Sequence, residues 1–301
     1  MTMRIGLVLP LADEDGPDGH APSYPEIRAI AVAAETGGLD SVWVFDHVLF
    51  QFDGVTTGIH ECWTILSALA EATSRVQLGS IVMCTSFRNP ALLAKMAATL
   101  DHVSDGRLIL GIGCGWHDPE YEAFGYPTDH KVGRFEEALS VIRGLIRDGR
   151  ADLDGRWVQV HDAVLLPPAR PDIPILIAAK RPRMLELTAR HADAWNLAWF
   201  GLPSERFETV RADLAAACAT VERDPETLEI TAGITVRYPD RIPAGRTPDD
   251  SPALDGADPV AVVAGFEAWR AIGADHLIVA LDPCTPETVA RFTAAVAAWR
   301  L

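Results

Sequence analysis

The chain has 301 residues, 49% of them hydrophobic and 23% charged, an ordinary globular balance in which no apolar run approaches the roughly 18 residues of a membrane span. Its 42 acidic against 26 basic side chains, a formal net charge of −16, argue against a nucleic-acid partner, because no basic face is there to displace phosphate counterions. The cysteines (Cys62, Cys84, Cys114, Cys218 and Cys284) are odd in number, scattered and without a C-x-x-C pair, which fits a reducing compartment better than a disulfide framework or a zinc site.

From Met1 the sequence runs directly into a strand-like segment, residues 4–9, without the apolar stretch of a signal peptide, so a cytoplasmic location is expected. Short apolar strands then alternate with helix-period segments to the end. Strands are expected at 4–9, 40–45, 75–83, 107–112, 174–178, 194–198, 228–236 and 275–281. Helices are expected near 24–37, 60–73, 90–104, 130–149, 182–192, 203–223, 258–273 and 285–299. Leu108-Ile-Leu110 and Ile175-Leu-Ile177 are continuously apolar, as strands covered on both faces are. Asn89-Pro90, Asp258-Pro259 and Thr285-Pro286 read as helix starts. Eight such β/α units predict a single (β/α)8 barrel domain over residues 1–301, with a doubly wound open sheet as the competing architecture. Two stretches interrupt the rhythm: 150–172 reads as a small hairpin before strand five, and 237–257, rich in Pro, Gly and Asp, as a surface loop. Lysine occurs only at Lys95, Lys131 and Lys180, and this scarcity beside abundant Arg and Ala is the composition of a GC-rich bacterial genome.

In such a barrel the chemistry sits where the strands end. Strand two ends in Val44-Phe45-Asp46-His47, which puts a carboxylate and an imidazole at the mouth. Strand four ends in Gly111-Ile-Gly-Cys-Gly-Trp116, whose glycines would let backbone approach a flat ligand, although the spacing is not that of a dinucleotide-binding loop. Strand five ends in Ala178-Ala179-Lys180-Arg181 just before a helix start, a combination of free amides and positive charge suited to an anion. His117, Glu120 and His130 read more simply as a solvated helix start, and Cys84 and Cys114 as small buried thiols rather than nucleophiles. Trp63 is expected in the core, with Trp195 and Trp199 open between core and ligand.

Taken in order, "GLDSVWVFDHV", "TSRVQLGSIV", "RNPALLAKMAATLDHVSDGRLILGIGCGW", "RFEEAL" and "ILIAAKRPRM" resemble the bacterial-luciferase-like superfamily of flavin- and deazaflavin-dependent oxidoreductases over nearly the whole chain. The resemblance implies the barrel, and a reduced flavin or deazaflavin ring at its mouth. It implies that Asp46 and His47 line the pocket near the reactive face, with His47 as acid/base and Asp46 orienting it. It further implies a non-prolyl cis peptide at Ile81-Val82 against the ring, Gly113, Cys114, Gly115 and Trp116 close to cofactor or substrate, and the cofactor phosphate at Ala178, Ala179, Lys180 and Arg181. Many relatives carry Gly-Gly where Ala178-Ala179 stands, and some deazaflavin enzymes carry an acidic proton donor where Trp116 stands, so sugar-phosphate dehydrogenase activity does not carry over. The expected activity is hydride transfer between coenzyme F420 and a small organic substrate, with FMN-dependent monooxygenation as the alternative. The resemblance leaves room for a homodimer and gives no nucleic-acid or membrane partner. From other classes come a non-catalytic flavin-binding protein and a metal-dependent hydrolase using His47, His60 and Glu61. The hydrolase is disfavoured because no H-x-H pair follows strand one.

Overall fold

The computed structural model describes residues 3–16, 19–243, 246 and 250–301. Eight parallel strands form its centre: β1 (Arg4–Val8), β2 (Ser41–Val44), β3 (Gln77–Ser80), β4 (Leu108–Gly113), β5 (Ile175–Ala178), β6 (Ala194–Phe200), β7 (Glu229–Arg237) and β8 (His276–Asp282). Each pairs with its sequence neighbour, and β8 pairs with β1, so the sheet closes into the barrel anticipated from the β/α rhythm. The open-sheet alternative is thereby overturned. Closure satisfies every strand edge of the barrel, and the helices cover outward-facing apolar strand residues such as Leu7, Val42 and Ile177.

Eight helices return the chain between strands or close the barrel after β8: α1 (Tyr24–Thr36), α2 (Cys62–Ala72), α3 (Pro90–Val103), α5 (Lys131–Arg143), α6 (Pro182–His191), α7 (Glu205–Thr220), α8 (Pro259–Ala271) and α9 (Pro286–Trp299). The expected starts are real caps. Asn89 Oδ1 accepts from Leu92 N–H at 3.1 Å, Asp258 Oδ1 from Val260 N–H at 2.9 Å, and Thr285 Oγ1 from Thr288 N–H at 3.2 Å. The hairpin expected within 150–172 is Arg150–Asp154 paired with Gln159–Val164. In the loop 237–257, Leu254–Asp255 adds a short strand to β7, while residues 244, 245 and 247–249 lie outside the described residues. Among the described residues, no helix is long and apolar enough to cross a membrane.

Three local features depart from the expected elements, and all three crowd one end of the barrel. Strand three stops at Ser80 and resumes as Met83–Cys84, now paired with β4. A hairpin, Phe50–Phe52 with Val55–Thr57, follows β2, and a short helix, α4 (Asp118–Phe124), follows β4.

The barrel interior is filled rather than hollow. Trp43 is fully buried among Val8, Ile109, Leu176, Ala194 and Ile278. It fits because Gly79, opposite it on β3, and Gly6, two residues before its β1 partner Val8, carry no side chain. A Cβ on Gly79 would lie 2.2 Å from the Trp43 ring, and one on Gly6 would lie 2.5 Å from Trp43 Nε1. Above this plug lie Phe45, Ile81, Val82 and Ala280, only partly buried. They begin the floor of an open cavity.

Candidate active site

The cavity has a volume of about 470 Å³ and lies at the C-terminal ends of β2 to β6. That is ample for a planar tricyclic ring. Every residue that the family resemblance assigned to the pocket lines it: Asp46 and His47 from β2, Ile81 and Val82 from β3, Gly113 to Trp116 from β4, and Ala178 to Arg181 from β5. The Ile81-Val82 peptide is cis, as expected, and a second non-prolyl cis peptide joins Ala198 to Trp199 at the end of β6.

Asp46 is 4% exposed and its oxygens are fully engaged. Arg88 grips both, Nη1 to Oδ2 at 2.6 Å and Nη2 to Oδ1 at 3.1 Å. Cys84 N–H donates to Oδ2 at 2.8 Å, and the Cys62 thiol to Oδ1 at 3.3 Å. The expectation that Asp46 orients His47 is therefore corrected. Asp46 ties the end of β2 to the resumed strand at Cys84 and to Arg88, a buried pair whose loss would leave an uncompensated charge. Arg88 also pairs with Glu61, so its guanidinium sits on the carboxylates that, with Cys62, come near enough to resemble a metal site. Burial pushes the Cys62 thiol well up, in keeping with its role as a neutral donor to Asp46. His60 is turned to the Pro22 carbonyl at 2.9 Å, so the metal-hydrolase arrangement does not assemble.

His47 has a different partner. Its Nδ1 lies 2.9 Å from Glu120 Oε1, and Val48 N–H donates to Glu120 Oε2 at 3.0 Å. Glu120, read from sequence as a solvated helix residue, is 1% exposed because α4 folds under the mouth. With Nδ1–H donated to the carboxylate, Nε2 is the imidazole atom left for the cavity. His117 is also buried. Its Nε2 accepts from Gln51 N–H at 3.1 Å, and burial pushes its pKa down, which fits a neutral ring locked on the hairpin. His130 remains exposed at the start of α5, beside Trp157.

The glycines at the end of β4 also make room for the chain itself. A Cβ on Gly111 would sit 1.8 Å from the Ser80 carbonyl, one on Gly113 2.7 Å from Val82, and one on Gly115 1.8 Å from the Tyr121 hydroxyl. Cys84 shares a hydrogen bond of 2.9 Å with that hydroxyl, and burial pushes its pKa up to about 12. Burial raises Cys114 as well, so both are inert thiols near neutrality, as expected.

On the opposite wall, Lys180 and Arg181 are exposed at the start of α6 and have no acidic partner among the described residues. Trp195 is buried in the outer core, its Nε1–H donated to the Ala179 carbonyl at 2.8 Å, and Trp63 is buried too. Trp199 instead faces the cavity, 37% exposed. Asn196, Leu197 and Ala198 of β6, Val132 of α5 and Met184 of α6 also line it. Sequence reasoning missed these five. Alternation along β6 was the signal that places Asn196 inside and Trp195 outside. Around the opening, the His47 ring lies 4.4 Å from Phe50, and Phe52 stacks with Trp116 at 6.3 Å.

The profile of the luciferase-like monooxygenase family matches residues 3–242. The chain is 34% identical to the phthiodiolone/phenolphthiodiolone dimycocerosates ketoreductase of Mycobacterium tuberculosis, over 91% of this chain and 75% of that protein. The chain belongs to the luciferase-like family. It is an oxidoreductase of that family, and it is also 34% identical to the pyrimidine monooxygenase RutA of Methylorubrum extorquens, over 64% of this chain and 56% of that one. Its luciferase-like barrel superposes on an F420-dependent secondary alcohol dehydrogenase in complex with an F420-acetone adduct, with a TM-score of 0.80, 20% identity and full coverage of both chains. The F420-dependent tetrahydromethanopterin reductase of Methanopyrus kandleri gives a TM-score of 0.77 at 18% identity, covering 99% of each chain.

Proposed function

We propose that this luciferase-like protein is a coenzyme F420-dependent oxidoreductase that moves a hydride between the deazaflavin and a small organic carbonyl or alcohol. The observation that carries the reading is His47, which lines the cavity and is held through Nδ1 by buried Glu120. The ketoreductase relative supports the reaction class, and the two F420-dependent enzymes of the same fold support the cofactor.

The residues present fit such a group. A flat apolar floor of Ile81, Val82 and Ala178 suits a ring, and the unpaired charges of Lys180 and Arg181, at the amide-rich start of α6, suit a phosphate tail. The methyls of Ala178 and Ala179 narrow the approach without removing those donors. When bound, the deazaflavin would supply or accept the hydride. The protein manages the proton. Reduction of a carbonyl leaves an alkoxide oxygen that needs one, and His47 delivers it from Nε2, while Glu120 holds the opposite edge of the ring. In the reverse direction His47 takes the proton from an alcohol. Phe50, Phe52 and Trp116 at the mouth limit water around the transfer.

An FMN-dependent monooxygenase is the second reading, favoured by the identity to RutA. Titrating the purified protein with F420 and with FMN separates them. Preferential F420 binding, followed by reduction of a ketone with reduced F420, is the expected result. Preferential binding of FMN with oxygen-dependent turnover would replace this reading with the second, and binding of either cofactor with no turnover of any substrate would favour a flavin-binding protein.

A further inference from the structure

One side chain on the cavity floor is oriented by the protein and left without a partner on its ligand side. Asn196, on β6, is 2% exposed and lines the cavity. Its Nδ2 lies 2.8 Å from Thr231 Oγ1, on the adjacent strand β7. The Thr231 hydroxyl has one proton, and that proton goes to the Trp195 carbonyl at 2.9 Å. Thr231 Oγ1 must therefore accept from Asn196, which fixes the amide with nitrogen toward Thr231 and oxygen toward the cavity. Among the described residues, Asn196 Oδ1 receives no hydrogen bond.

The carboxylate acceptors of the cavity are spent. The Asp46 oxygens are taken by Arg88, Cys84 and Cys62, and the Glu120 oxygens by His47 and Val48. Asn196 Oδ1 is thus an uncharged amide acceptor left free among the described residues, beside the partly buried apolar residues above the Trp43 plug. A buried carbonyl oriented so firmly is matched by a ligand carrying one N–H donor, and leaving it unmatched would cost the bound state a desolvated polar group.

Resting on the cofactor reading above, we infer that Asn196 is a cofactor-positioning residue whose Oδ1 accepts the imide N–H of the bound ring. Flavins and deazaflavins share that imide, a single N–H between two carbonyls on the pyrimidine ring. Asn196 therefore directs the pyrimidine edge toward β6 whichever of the two binds. Thr231 acts through Asn196 by holding its amide.

The test is a binding cycle on the full chain, read by cofactor fluorescence rather than turnover. FMN or F420, whichever the wild type binds, is compared with its N3-methylated counterpart in wild type, Asn196→Ala and Thr231→Val. Methylation should weaken wild-type binding about tenfold or more, the loss of one buried hydrogen bond with its acceptor stranded. In Asn196→Ala, where both acceptor and bulk are gone, methylation should cost little. Thr231→Val, which keeps Asn196 but frees its amide to turn, should show an intermediate penalty, and it serves as the readout if Asn196→Ala does not fold. An equal methylation penalty in wild type and variants would overturn the assignment. So would unchanged cofactor affinity in Asn196→Ala with a raised substrate KM, which would move Asn196 to the substrate. Failure of the wild type to bind either parent cofactor would instead overturn the cofactor reading itself, and this inference with it.

Discussion

The two ends of the barrel each carry a histidine facing a glutamate, and they are built for opposite ends. At the N-terminal end, His276 is completely buried. Trp43 Nε1–H donates to Ser41 Oγ at 2.7 Å, Ser41 Oγ and His276 Nε2 share a hydrogen bond of 2.8 Å, and Nδ1 faces Glu229 Oε1 at 3.6 Å. Glu229 is in turn paired with Arg4. Burial lowers the pKa of His276, with Glu229 pulling the other way, so the ring is held neutral and closed off. At the C-terminal end, His47 has the same kind of partner on Nδ1 but opens Nε2 to a cavity. The pairing alone does not mark a site. Access to the second nitrogen separates a histidine that seals the barrel from one that can exchange a proton with a ligand.

The largest effect that would break this contrast is on turnover. His47→Asn should depress it by about 10²–10⁴ while leaving cofactor affinity nearly intact. The shape of the pH–rate profile should also change. Full turnover with an unchanged profile would make both histidines structural.

Asp46 sharpens the contrast from the other side, since it adjoins His47 in sequence but belongs to the framework. Asp46→Ala strands the Arg88 charge and should cost about 3–5 kcal/mol in denaturant unfolding. If it instead left stability unchanged and altered the pH–rate profile of the folded enzyme, Asp46 would return to the proton path.

A smaller effect is expected at the rim. Lys180→Ala should weaken a phosphate-bearing cofactor about tenfold, the scale of one charge-assisted hydrogen bond, and leave a dephosphorylated analogue nearly unaffected. Equal losses for both ligands would place the phosphate elsewhere.

The smallest concerns the closed end. Because the folded pKa of His276 lies below its ordinary value of 6.5, the unfolded chain takes up a proton first as pH falls. Its contribution to stability is intact above pH 6.5 and declines below it, by about 1 kcal/mol per pH unit until the folded ring itself protonates. Melting curves across that range should show His276→Gln losing less on the acid side than wild type. Parallel curves would mean that the closed end is not sealed against protonation.

Much of this was legible in one dimension. The alternation of apolar strands with helical periods determined eight β/α units, because each must bury one face of a helix on one strand, and the pairing of β8 with β1 closed them into a barrel. The rule that loops after such strands form the mouth brought Asp46, His47, Ile81, Val82, the segment from Gly113 to Trp116 and the segment from Ala178 to Arg181 to one cavity. Only the tertiary structure decided which of them touch. Asp46 finds Arg88 across 42 residues, and His47 finds Glu120 across 73, because closure stacks the loops after β2, β3 and β4 on one rim. Hydrogen bonds select partners by atom separations of about 3 Å, which adjacency in sequence does not encode. Asp46 and His47 are neighbours in the chain and still serve different partners. The orientation of Asn196 likewise depends on a hydroxyl 35 residues away on the next strand.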